Sequence, residues 1–149
     1  MPIKLVTPKS EIDAYIEHYR DNAQQAIIKT FSYVGESCIR EARVNGSYMN
    51  QTGNLRSSIG YAVVVDGQIV KTKVSAQVMN GVDGKSAATS FLARLSSEYP
   101  SGIYLIVVAG MNYASYVEGR GKNVLTSAEL LAERLVPQLL EQIGFKVKR

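Results

Sequence analysis

Few residues in this 149-residue chain are of types that do chemistry, and their spacing limits what each can do. It has a single histidine, His18, and a single cysteine, Cys38. One thiol excludes an internal disulfide and any cysteine zinc site. His18 stands between Glu17 and Tyr19, off the main apolar stripe, with no second histidine to share a metal, and reads as a surface residue. Cys38 falls on that stripe and reads as a small, buried, inert apolar group. Ser57 or Ser58 with His18 would make a hydrolase only if long-range geometry joined them, and nothing in the spacing does so. Asp83, between Gly81 and Gly84, lacks the alternating oxygen ligands and distal glutamate of a calcium loop. Gly-Arg-Gly-Lys at 119–122 lacks the four residues between the glycines of a phosphate loop, and Asn123 stands where that loop needs Ser or Thr. The expectation is a chain with no catalytic residue, metal or cofactor, whose side chains act by contact.

The residues best placed for contact lie in two stretches. Tyr113, Tyr116, Val117 and Glu118 fall between the glycines of Gly110–Gly121, where the backbone can turn sharply and present a compact amphipathic surface. The tyrosines can equally be core anchors. Lys71 and Lys73 share one face of an expected strand with Ile69, so that face should meet water or a partner. Those lysines, with Arg120, Lys122 and the basic C-terminus, also permit a small nucleic-acid-binding module. The charge argues against it, since 17 basic against 13 acidic residues gives only +4, short of a basic stripe. Most of the tyrosines also fall on apolar stripes, where a single-strand binder would expose them to stack on bases.

These residues must be held by a scaffold, and 46% hydrophobic content over this length supports one domain with a real core. No apolar run approaches the length of a membrane span, and no secretory signal opens the chain. The expectation is a soluble protein kept in a reducing cytoplasm. Thr7-Pro8, or Ser10 with Asp13, caps a helix that starts near residues 8–11 and stops at Asn45-Gly46. Its apolar stripe runs from Ile12 to Ala42, with a bend or break possible at Gly35. Such a stripe is satisfied either by lying across a sheet as core, the expectation here, or by projecting in part against a neighbouring subunit. Met1–Val6 could be a short strand or an arm.

Two β-branched runs flank Asp66-Gly67, the signature of a hairpin with a primed turn. Ile59, Tyr61, Val63 and Val65 should share one face of the first strand, and Val70, Thr72, Val74, Ala76 and Val78 one face of the second. After a glycine-rich loop at 80–85, a helix is expected over Ser86–Tyr99 with Ala87, Phe91, Leu92 and Leu95 inward. Ile103–Ala109 is almost uninterrupted in hydrophobicity and reads as the central strand of the sheet. Thr126 and Glu129 form a capping box for a C-terminal helix that Pro137 should kink or divide. Phe145–Arg149 alternates like a short strand or a basic tail.

In this order, the chain resembles the tail-completion or head-tail joining proteins of long-tailed bacteriophages, the gp-ten-like tail components. Thr52, Gly53, Leu55, Arg56, Ser58 and Ile59 match their Thr-Gly-x-Leu-Arg-x-Ser-Ile signature before a strand. Tyr113, Ala114, Val117 and Glu118 match a Tyr-Ala-x-x-Val-Glu-x-Gly signature after a later strand, with Gly119 one place early. The motifs cover about twenty residues, and the agreement in element order runs from about Ser10 to Ile143. A helical insertion at about 80–102 and the Gly-Arg-Gly at 119–121 depart from the pattern.

The resemblance implies an α+β fold, a small antiparallel sheet covered by helices, and a structural role rather than an enzymatic one. It implies a ring of copies of the chain, expected to be a hexamer, at the virion neck between the portal or adaptor assembly and the tail tube, with DNA only passing through. The neighbouring role of a minor tail or capsid-associated component stays open. Ring contacts are heterologous, so two different surfaces of each subunit must match. The candidates are Tyr113, Tyr116, Val117 and Glu118 on one side and Lys71 and Lys73 on the other. Arg56 could pair with Glu118 and fix the two motif loops, either within one chain, the expectation here, or across two.

Overall fold

The computed structural model describes residues 8–49, 52–77 and 79–147. Its elements are α1 (Lys9–Val44), α2 (Asn54–Ser57), β1 (Ile59–Val65), β2 (Gln68–Val74), α3 (Val82–Ser96), β3 (Ile103–Ala109), α4 (Ala114–Gly119) and α5 (Thr126–Gln142). The fold is α+β: a long N-terminal helix, a three-stranded antiparallel sheet and a C-terminal helix. Met1–Val6, the Thr7 cap and Val78 lie outside the described residues. Of the C-terminal tail, Phe145–Val147 forms no strand, and Lys148 and Arg149 are not described.

The hairpin forms where its turn chemistry places it. Asp66 (φ 49°) and Gly67 (φ 83°) both take positive φ, as a type I′ turn requires. The sheet order is β2-β1-β3, which corrects one expectation: Ile103–Ala109 is an edge strand, and β1 is central. β1 is buried along nearly its whole length because helices cover both of its faces. Ile59, Tyr61 and Val63 join Val34, Cys38, Ile39 and Ala42 of α1 and Ala128 of α5. Ala62 and Val64 meet Leu92 of α3 on the other face. β3 is apolar for the same two-sided reason, but hydrogen-bonds to β1 alone among the strands.

A bulge interrupts β2. Val63 pairs with Lys71 and Val64 with Ile69, so Val70 is left over and is 49% exposed. Ile69 consequently joins Val74 in the α3-facing core. The alternation read from sequence had placed Ile69 with the lysines, and the inserted residue changes that parity.

α1 runs unbroken through Gly35. A Cβ there would stand 2.5 Å from two ring carbons of the fully buried Tyr61, so this glycine lets helix and strand approach rather than breaking the helix. Only the C-terminal part of α1 follows the expectation of core: its buried residues run from Ser32 to Ala42. From Asp13 through Asn22 every residue is exposed, about 15 Å of helix, including Tyr15 and Tyr19 at 72%. The stripe continues along this projecting arm, but no core covers it.

The helices differ from the sequence reading at three points. α3 starts at Val82, four residues early, because Gly84 packs directly on the Asn54 carbonyl and its N–H donates to Asn54 Oδ1 at 3.1 Å. The glycine that looked like a loop residue is a contact point inside a first helical turn. α5 continues through Pro137 as one helix rather than dividing there. No side-chain hydrogen bond from a capping box is formed at its start.

Candidate functional site

The two sequence signatures fold against one another at the end of the domain where α1 stops. Leu55 on α2 is buried with Tyr48, Ala114 of α4 and Val124, and Val117 packs beside them. α2 is itself pinned from both sides. Ser58 Oγ donates to the Leu55 carbonyl at 2.7 Å, and Ser75 Oγ donates to the Arg56 carbonyl at 2.9 Å. The buried members of the first signature therefore hold the loop in place, and what reaches the surface is its rim.

That rim is one wall of an open cavity of about 690 Å³ lined by Tyr48, Met49, Thr52, Asn54, Leu55, Tyr113, Val117, Arg120 and Lys122. Its floor is apolar and its mouth is cationic. Arg120 Nη1 donates to the Tyr116 hydroxyl at 2.9 Å, with its guanidinium carbon 5.6 Å from that ring's centroid, which orients the arginine. Burial raises the Tyr113 hydroxyl above the usual phenol range, against the lowering effect of its hydrogen bond with Thr52. Tyr113 and Tyr116 are exposed, at 37% and 64%, so neither is a core anchor.

The Arg56–Glu118 pair is not formed within the chain, where each residue has another role. Glu118 Oε1 accepts from Leu125 N–H at 3.0 Å and from Thr126 N–H and Oγ1–H at 2.8 and 2.5 Å. A carboxylate on the unsatisfied amides of a helix start is favoured by those donors and by the helix dipole. Burial would raise the Glu118 carboxyl, but these hydrogen bonds outweigh it and hold it below the usual carboxylate range. Glu118 thus supplies the cap that the sequence assigned to Thr126 and Glu129. Arg56 lies over the Tyr48 ring at 5.8 Å, and its Nε is buried without a hydrogen-bond partner among the described residues.

Lys71 and Lys73 are not brought to this cavity. They stand on β2, where Lys73 Nζ meets Glu36 Oε2 at 2.9 Å and the Tyr61 hydroxyl donates to Glu36 Oε1 at 3.2 Å. Lys73 and Arg56 line a second groove of about 520 Å³ with Arg40 and Arg43. Sequence reasoning missed Tyr48, Met49 and Asn54 as lining residues. Their one signal was adjacency to Thr52-Gly53, since isolated residues in a loop carry no periodicity.

Cys38 is buried and its thiol, 3.5 Å from the Ala128 carbonyl, is pushed up to about 11 by burial and by Glu41. His18 is exposed and hydrogen-bonds with Asn22 of its own helix. Ser57 is buried under α3, and Ser58 is occupied by Leu55. Among the described residues no three His, Cys, Asp or Glu side chains gather as a metal site would require, and no helix is long and apolar enough to cross a membrane. No family model, curated protein or solved structure matches this chain.

Proposed function

We propose that this protein is a structural component of a bacteriophage or prophage virion, a tail-completion or head-tail joining protein. Copies of it form a ring, a hexamer by the resemblance, between the portal or adaptor assembly and the tail tube. On this reading it works through its surfaces, with no reaction of its own and no cofactor, and DNA passes through the ring without being read. It is made in the host cytoplasm and ends in the virion neck. The two signature segments support the reading because they build one surface element together, with Leu55 and Ala114 buried in a shared cluster.

The single observation that carries it is where the uncovered apolar side chains lie. Exposed apolar side chains also occur singly, as at Tyr33, Val70, Val82 and Leu130, but Tyr15, Ile16 and Tyr19 group on the projecting arm and Tyr113 and Tyr116 beside the end where α1 stops. Exposed apolar surface at two separate places is what a head-to-tail contact between copies needs. To test it, the purified chain is added to tail tubes assembled without their head-proximal component and imaged by negative stain. A ring capping one end of each tube is expected. Bare tube ends at saturating chain would refute the assignment.

A second reading is kept by one observation. Of the nine tyrosines, Tyr48 and Tyr61 alone are buried, Tyr113 lines the cavity with Arg120 and Lys122, and Tyr116 meets Arg120. Aromatic rings exposed beside cations suit single-stranded nucleic acid, contrary to the placement expected from sequence. A gel shift at physiological salt separates the readings: tight, salt-sensitive binding that Tyr113→Ala weakens would favour the nucleic-acid module.

A further inference from the structure

Among the described residues the outer edge of β3 is unpaired. Gly110 N–H donates to the Ser58 carbonyl and Asp66 N–H to the Gly102 carbonyl, each at 2.9 Å, so the β1–β3 ladder bonds at every second pair between them. Tyr104, Ile106 and Val108 therefore direct their backbone groups at β1, and Ile103, Leu105, Val107 and Ala109 direct theirs outward. No described element hydrogen-bonds to those four residues. The strand holds no charge, proline or bulge, the usual guards of an exposed edge. Beside it, Leu105, Val107, Leu125, Ala128 and Ala132 line a groove of about 290 Å³ that also holds Glu129 and Glu133.

The opposite edge of the sheet is β2. Lys71 and Lys73 sit across from Val63 and Tyr61, so their side chains share the sheet face of α1 and α5, the same face as Glu129 and Glu133. Among the described residues Lys71, Glu129 and Glu133 make no ion pair. Pairing β3 with β3 of another copy would gather four glutamates on one face, and pairing β2 with β2 would gather four lysines. Only β3 against β2 matches the charges.

We infer that the β3 edge of one copy receives the β2 edge of the next, with Lys71 and Lys73 of the incoming strand beside Glu129 and Glu133. β2 and β3 both run antiparallel to β1, so the joined strands are parallel and every copy keeps the same face toward the axis. Such a contact is heterologous and propagates until it closes. The inference rests on the reading that copies of this chain assemble, and it adds the two sheet edges to the arm and tyrosine surfaces offered for that contact.

The test is amide hydrogen exchange on the full-length chain, dilute and at concentrations where it assembles, alone and on tail tubes. Amides of Ile103, Leu105, Val107 and Ala109 are expected to slow by about tenfold or more on assembly. Lys71→Glu with Lys73→Glu should raise the concentration needed for assembly by about tenfold or more, and so should Glu129→Lys with Glu133→Lys. Mixing the two reversed chains should restore assembly, because in an alternating ring each contact is again matched. Lys71→Glu alone, which leaves the Lys73–Glu36 pair intact, should give a smaller shift in the same direction with unchanged circular dichroism. If the natural chain assembles while the four amides stay fast and the reversals are neutral, the contact is wrong and the ring reading survives. If it never assembles, alone or on tubes, both fall.

Discussion

The contact between Gly35 and Tyr61 sets the distance between α1 and the sheet, and its strength can be worked from the structure. Gly35→Ala places a methyl 2.5 Å from two carbons of the Tyr61 ring and 2.9 Å from a third. The ring is fully buried between Gly35 and the sheet, so it cannot swing into solvent. Overpacking costs about 1–3 kcal/mol, and three ring carbons under 3.0 Å put this case at about 2–3 kcal/mol. Against it stands the helix preference of alanine over glycine, about 1 kcal/mol. The net expectation is a loss of about 1–2 kcal/mol, read as a lower urea midpoint at unchanged slope and a Tm lower by roughly 3–6 °C. In a Tyr61→Val background the obstruction is gone, and the same substitution should stabilise by up to about 1 kcal/mol. The coupling between the two positions should then be about 2–3 kcal/mol. A Gly35→Ala protein as stable as the natural one, or more so, would refute the close approach.

Three further outcomes follow from the same structure. Because the Glu118 carboxyl is held below its ordinary value of 4.5, it stabilises the fold above that value, and the contribution is lost as pH falls through the folded-state pKa. Glu118→Gln should cost about 0.5–2 kcal/mol at neutral pH, with the gap to the natural chain closing in acid; a gap unchanged by pH would show that its charge does not cap α5. Cys38, its thiol pushed up to about 11, should resist iodoacetamide at neutral pH until denaturant is added, and rapid labelling of the folded chain would contradict its burial. Gly84→Ala should destabilise by about 1–3 kcal/mol in urea, because its methyl meets the Asn54 backbone, which yields less readily than a side chain; a neutral result would mean α3 is free to shift off α2.

Local rules were legible in the sequence where the partner is a neighbour in the chain. Asp66-Gly67 fixes its own φ angles, so the hairpin could be read directly, and the start and stop of α1 fell within a residue or two of the expected bounds. Hydrophobicity could not separate a central strand from an edge. Ile103–Ala109 is apolar because layers lie on both of its faces, and that says nothing about which strands bond to its backbone. Periodicity likewise could not divide α1, since Ile12–Tyr19 repeats at the same spacing as Val34–Ala42 and only the latter meets the sheet. Gly84 was misread as a loop because a close approach and a turn both select glycine. For Glu118, Arg56 and Leu125–Thr126 were both chemically adequate partners, and geometry chose the helix start.

The account stands on the claim that copies of this chain fit one another around an axis. Native mass spectrometry of the full-length protein, alone and with tail tubes across rising concentration, tests it most directly. The prediction is one closed species of a single copy number, without intermediates beyond it. A chain that stays monomeric throughout, or an open ladder of every size with no preferred number, would contradict it.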